Sequence, residues 1–371
     1  MTTKLADALR RRIARTGPVS VADFMAEALG HPDHGYYMTR DPLGAAGDFI
    51  TAPEVSQMFG ELIGLWCADI WRTALAPRPA RLVELGPGRG TLMADALRAA
   101  RMMPGFADAL TVHLVETSPA LQAMQRNALS GYAVQWHRSL AEVPDGPLLL
   151  VANEFFDALP VRQFALTQDG WRERMVALDA AGGGFRFALA PEIVAADTVI
   201  PQEIRALAQP GDNAETCPAG VALAEDIGRR VVTHDGAALI VDYGHAASAP
   251  GETLQAVRAH ERHHPLDAPG EADVTAHVDF AALSRAAARA GAATHGPVPQ
   301  GLFLARLGIA ERAERLRRSA TPDQARDLEA ACHRLIAAEE MGTLFKALAI
   351  TPPAMPAPPG FPSLPEDTAT P

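Results

Sequence analysis

Glu84 stands two residues ahead of three alternating glycines in the run Glu84-Leu85-Gly86-Pro87-Gly88-Arg89-Gly90-Thr91-Leu92. Gly86, Gly88 and Gly90 let the main chain turn sharply and approach a ligand closely, because no Cβ intervenes. An acid at such a turn offers its charge to a cation. Glu116 follows the apolar, β-branched residues 111–115 and leads into Thr117, Ser118 and Pro119. A carboxylate at that place can accept both hydroxyls of a ribose. Asn153, Glu154 and Asp157 surround Phe155 and Phe156 directly after the wholly apolar residues 147–152. Two carboxylates beside two aromatic rings suit a cationic or amide nitrogen. Upstream, Asp48, Thr51 and Glu54 share a stretch with Phe49 and Ile50. Those apolar side chains would be exposed on an ordinary surface loop, so the stretch reads as a lid over a ligand.

Regular elements must carry these groups. Residues 81–85, 111–115, 133–137, 147–152 and 237–241 have the apolar, β-branched make-up of strands buried on both faces. The fifth ends in Asp242, Tyr243, Gly244 and His245. Helical patterns alternate with them: one opens near Thr91 with free N–H groups at its mouth, and another at Ser118, an N-cap followed by Pro119. This alternation predicts an α/β fold, a doubly wound, mostly parallel Rossmann-like sheet with the fourth strand central. Ligands then belong at the carboxyl ends of the strands. Residues 163–167, 171–178 and 184–189 alternate like antiparallel strands, joined by glycine turns. They predict a β-rich insertion, residues 163–235, on the substrate side and able to cover the site. Residues 1–75 read as an N-terminal helical region with the lid, 76–162 and 236–350 as the core, and the proline-dense 351–371 as a disordered tail. Thr321 and Gln324 predict a capping box at the start of a late helix.

The glycine turn decides between cofactors. A dinucleotide fingerprint, G-x-G-x-x-G/A, needs a glycine or alanine at position 91, which is threonine. The arrangement present, E-x-G-x-G-x-G, resembles that of S-adenosylmethionine-dependent methyltransferases of Rossmann-like class I. That ligand has no pyrophosphate, and an acid at Glu84 suits its ammonium. A tight turn with no ligand, and Glu116 as a solvated acid at a strand end, remain the plain alternatives. So does a nicotinamide oxidoreductase, which Thr91 and the lack of any identifiable hydride-transfer partner disfavour. If the methyl acceptor is an arginine, its guanidinium cannot easily be deprotonated. Glu154 and Asp157, with Asn153 beside them, would orient it and localise its charge, leaving one nitrogen aimed at the methyl. Otherwise Glu154 caps the following turn and Asp157 is solvated.

The chain has 371 residues, 48% of them hydrophobic, and a net charge of −11. That charge argues against nucleic acid and favours a cationic substrate. No apolar run is long enough for membrane insertion. Cys67, Cys217 and Cys332 lie far apart without metal-ligand spacing and read as buried thiols of a reducing compartment. His260, His263 and His264 lack partner ligands, so no metal is expected. His245 is open to two readings, an active-site group or a loop histidine. The Arg-rich start resembles a presequence, but a second helical pattern at residues 20–29 follows at once, favouring a structured N-terminus in a bacterial cytoplasmic protein. A homodimer is left open.

Residues 47–66, 82–92, 113–118, 153–161, 241–245, 273–280 and 341–348 together resemble the ordered landmarks of the MidA family. The resemblance spans residues 5–350; residues 165–235 match least. It implies an S-adenosylmethionine-dependent protein arginine methyltransferase, akin to a mitochondrial assembly factor of respiratory complex I. The implied reaction is symmetric dimethylation of an arginine in the complex I subunit of the 49 kDa, quinone-site type. Carried over by motif, Gly86, Gly88, Gly90 and Glu116 would hold the cofactor, and Asp48, Thr51 and Glu54 would line the site. The implied alternative is an assembly chaperone that keeps the fold without catalysis.

Overall fold

The computed structural model describes residues 3–39, 51–180, 183–258 and 260–362. Seven strands form the main path of the eight-stranded central sheet: β1 (Ala80–Leu85), β2 (Leu110–Val115), β3 (Val134–His137), β4 (Leu148–Asn153), β5 (Gly236–His245), β6 (Ala293–Pro299) and β7 (Phe345–Thr351), with the short Val278–Asp279 strand paired to β5. Their order is β6-β7-β5-β4-β1-β2-β3. β3, β2, β1, β4 and β5 run parallel, while β7 is antiparallel to both β5 and β6. β4 is central, as its apolar run requires, and every one of its residues is buried. The mostly parallel, doubly wound sheet expected from the sequence is therefore present, with one reversed strand near its edge.

The helices that position the site are α1 (Lys4–Thr16), α2 (Val21–Gly30), α3 (Gln57–Ile70), α4 (Thr91–Ala100), α5 (Pro119–Ala128), α6 (Pro218–His234) and α7 (Phe280–Arg289). α3 and α4 cover one face of the sheet through Leu62, Trp66, Met93 and Leu97. α6 and α7 cover the other through Ile227, Val231, Phe280 and Leu283. Ser118 caps α5 by accepting from the amide of Leu121, with Pro119 opening the helix. The predicted capping box of Thr321 and Gln324 is formed.

Several boundaries differ from the sequence reading. β5 does not stop at Val241: Asp242 and Tyr243 pair with Lys346 and Phe345, and Gly244 and His245 pair with Val278 and Asp279. Polar residues stay in the strand because a reversed neighbour supplies their partners. The 163–235 insertion is shorter than expected, since α6 packs on the core. What remains is an antiparallel sheet of Arg162–Thr167, Gly170–Leu178, Phe185–Ile193 and Asn213–Thr216, joined by Val19–Ser20 from the N-terminus. α3 likewise belongs to the core rather than to a separate N-terminal region. The tail is also corrected as far as it is described. Phe361 is buried against Phe303, ring centroids 5.3 Å apart, and Trp66 Nε1 donates to the carbonyl of Pro359. The proline-dense stretch here folds into turns closed by bonds from Met355 to Pro352 and from Phe361 to Pro358, and its neighbours hold it; residues 363–371 lie outside the described residues.

Candidate active site

The carboxyl ends of β1, β2, β4 and β5 open on a cleft of about 460 Å³, of a size that encloses a small cofactor. Two sets of residues line it. The first comes from the β1 and β2 ends: Glu84, Gly86, Gly88, Glu116 and Thr117. Gly86 has φ +61°, and a Cβ there would lie 2.7 Å from the Phe155 ring. Gly90 has φ +86° and starts α4, but it rests against Gln125 and does not line the cleft.

Glu84 is buried, its Oε2 has no hydrogen-bond partner, and burial pushes its pKa up to about 8. Glu116 is also raised by burial, against the pull of its donors. Its Oε1 accepts from the Ser118 amide at 2.7 Å and its Oε2 from Gln125 Nε2 at 3.2 Å. Gln125, fully buried on α5, also donates to the Gly88 carbonyl at 2.7 Å and accepts from Trp136 Nε1 at 2.9 Å. It ties the glycine turn to Glu116. The sequence reading missed Gln125; its place one turn after Leu121 on the apolar face of α5 was the available signal.

The second set comes from β4, β5 and the N-terminal segment. Asn153, Glu154, Phe155, Asp157, Tyr243, Asp273 and Tyr37 all line the cleft. Asp242, fully buried on β5, organises them: its Oδ2 accepts from the amides of Phe155, Phe156 and Asp157 at 3.1, 3.0 and 3.2 Å, and its Oδ1 from the amide of Tyr243 at 2.9 Å. Burial and then the charges of Asp157 and Glu154 raise its pKa, while those amides oppose the rise. Glu154 takes φ +48°, a left-handed conformation rare outside glycine that costs on the order of 1 kcal/mol or more. The Asp242 bonds and the Glu154 amide, which donates to the Val241 carbonyl at 2.9 Å, hold it there.

Glu154 Oε1 accepts from the Ala52 amide at 3.0 Å and from Asn153 Nδ2 at 3.2 Å. Burial, then the charge of Asp157, lifts its pKa to about 7. Asp157 is buried too, so its reading as a solvated acid is excluded; burial lifts it to about 6 against the donor Tyr243. The Tyr243 hydroxyl donates to Asp157 Oδ2, and Asp157 Oδ1 has no partner. Tyr37 donates to Asp273 Oδ1 at 2.9 Å. Tyr37, Asp242, Tyr243 and Asp273 were not among the predicted site residues, although stretches 241–245 and 273–280 were among the sequence landmarks.

The lid is seen in part. Thr51, Pro53 and Glu54 line the cleft on a helical turn, Ala52–Val55. Glu54 accepts from Thr91 Oγ1 at 2.5 Å and lies 3.7 Å from Arg89 Nη1. Asp48 lies outside the described residues. The antiparallel insertion does not cover this site: no described residue from 163 to 235 lines the cleft, whereas Ala26, Leu29 and Gly30 of α2 do. The insertion instead flanks a second cavity, of about 370 Å³, with Phe156, Cys217, His277 and Asp279. His245 faces that cavity rather than the cleft. Cys67 is buried, but Cys217 and Cys332 are only partly so. Among the described residues no helix is long and apolar enough to cross a membrane, and no group of three His, Cys, Asp or Glu side chains is placed to hold a metal.

A buried acid with a free oxygen fits an α-ammonium, and a second acid oriented by two donors fits a ribose diol. Residues 62–298 match a family of S-adenosyl-L-methionine-dependent methyltransferases. The chain belongs to this family. The methyltransferase is similar to the protein arginine methyltransferase NDUFAF7, mitochondrial, of Xenopus tropicalis, at 37% identity over 92% of this chain and 84% of that protein. With the Homo sapiens protein of that name it shares 38% identity, over 93% and 82%. A solved Burkholderia thailandensis structure bound to S-adenosyl-homocysteine superimposes with a TM-score of 0.80 and 30% identity, over 96% of this chain and 94% of that one.

Proposed function

We propose that this methyltransferase acts on an arginine of a protein, with Glu154 and Asp157 holding the guanidinium beside Asn153. Glu84, Gly86, Gly88, Glu116 and Thr117 would hold the cofactor, with Thr51 and Glu54 at the lid. One observation carries this reading. Among the described residues, each buried polar atom that lines the cleft without a partner is an acceptor: Glu84 Oε2, Asn153 Oδ1 and Asp157 Oδ1. A guanidinium brings five N–H donors and no acceptor. The name carried by the relatives supports arginine. The resemblance to their family extends the proposal to a respiratory complex I subunit of the quinone-site type, dimethylated symmetrically in a bacterial cytoplasm during assembly.

When bound, S-adenosylmethionine supplies an electrophilic methyl whose bond to sulfur breaks as the bond to nitrogen forms. Glu154 and Asp157 localise the charge of the guanidinium and fix its direction. The leaving proton goes from the methylated nitrogen to a carboxylate. Glu154, near 7, has the basicity for that task at neutral pH.

The test compares complex I subunits by mass spectrometry from cells carrying the wild type, no copy, or Glu154→Gln. One methylation mark should be lost in the last two, with purified Glu154→Gln about a hundredfold or more slower and binding S-adenosylhomocysteine within twofold of wild type. A mark that persists with Glu154→Gln would sink the assignment, and normal assembly without the mark would favour the chaperone.

A further inference from the structure

We propose that Tyr243 is a positioning residue that dictates how the guanidinium is held, an inference that rests on the arginine reading above. A free carboxylate takes a guanidinium through a fork of two parallel N–H···O bonds. A fork on Asp157 would have to share Oδ2 with the Tyr243 hydroxyl, which already donates to it. Only Oδ1 is buried without a partner, and the neighbouring orphaned acceptor is Oδ1 of Asn153, whose Nδ2 is engaged by Glu154. A cation that meets the two unpartnered acceptors spreads its N–H groups over residues on either side of Phe155. Bridged in this way, its plane is fixed at two points; forked on one carboxylate, it could swing about a single axis. In-line transfer needs the fixed plane.

Tyr243 is built to stay in place. It sits within β5 opposite Phe345, whose ring packs edge-on at 5.4 Å, and the His277 ring packs edge-on at 5.6 Å. Burial and the surrounding carboxylates of Asp157, Asp242 and Asp273 hold its pKa well above the ordinary value, so it remains a donor.

Tyr243→Phe keeps the ring and removes the donor. The measurements belong at pH 9, above the raised values of Asp157 and Glu154, because losing the phenol also raises Asp157; Asp242, Asp273, Tyr37 and His277, whose pKa burial lowers, are the other titratable groups around it. Methylguanidinium chloride is titrated calorimetrically into protein saturated with S-adenosylhomocysteine. Turnover is followed with labelled S-adenosylmethionine on a peptide library with arginine fixed at its centre. The expected result is a split: methylguanidinium binds Tyr243→Phe as tightly as wild type or tighter, while kcat falls tenfold or more. Asp157→Asn should instead lose methylguanidinium binding. Parallel weakening of binding and kcat in Tyr243→Phe, or no change in either, would overturn the inference. A wild type that neither binds methylguanidinium nor labels the library refutes the arginine reading itself.

Discussion

The two halves of the cleft are built differently. The cofactor half is local: Glu84, Gly86 and Gly88 lie within five positions, and Glu116, Thr117 and Gln125 follow on the next strand and helix. Its key bonds span much shorter separations, from Ser118 to Glu116 across two positions to Gln125 and Gly88 across 37. The acceptor half is assembled from distance. Asp242 reaches amides more than eighty positions away, and Tyr37 reaches Asp273 across 236. The cofactor half has one unsatisfied acid, whereas the acceptor half crowds three buried acids around a residue with a left-handed main chain. Shared cofactor chemistry needs only a motif; recognition of a particular acceptor needs the tertiary structure.

The largest break in this comparison should come from Asp242→Ala. Several main-chain N–H groups then lose a buried partner, at roughly 1–3 kcal/mol each where water cannot replace it. Denaturant unfolding should show a loss of roughly 3 kcal/mol or more. Activity should fall below detection, while the folded fraction still binds S-adenosylhomocysteine within a few-fold by calorimetry. If cofactor binding disappears along with activity, the halves are not separable.

A smaller and opposite effect is expected from Gln125→Ala. It unties Gly88 from Glu116 and leaves the Trp136 indole without its acceptor. S-adenosylhomocysteine affinity should drop about tenfold, some 1.4 kcal/mol, with kcat at saturating cofactor nearly unchanged. A kcat effect larger than the affinity effect would contradict the division.

The smallest effect concerns pH. Glu84, raised from an ordinary 4.5 to about 8, keeps its proton in the empty folded protein at pH values where the unfolded chain has lost it. Stability of the empty protein therefore falls as pH rises across that window. A cationic ammonium favours the ionised form, so binding releases the proton. Affinity for S-adenosylhomocysteine should rise roughly fivefold from pH 7 to pH 8, and Glu84→Gln should flatten the rise.

What the sequence revealed follows the same division. The parallel strands, the glycine turn, Glu116 and the capped helix starts were legible because each rests on neighbours within a few positions. Asn153, Glu154 and Asp157 were legible as types in a suspicious place, but Asp157's burial and Glu154's left-handed main chain were not, since Asp242 imposes both from another strand. The insertion was misplaced over the site because its strands were recognisable while their packing on α1 and α2 was not. The described part of the tail, residues 351–362, was misread because composition cannot show that Trp66 and Phe303 await it.

The bond between Tyr37 and Asp273 also bears on how the molecule is made. A chain emerging from a ribosome has every residue of the cofactor half once β4 is complete, yet the acceptor half must wait for Asp242 and then Asp273. Under the site proposed above, the acceptor side is the last part of the cleft that synthesis completes, so methyl transfer has to wait until Asp273 has been made.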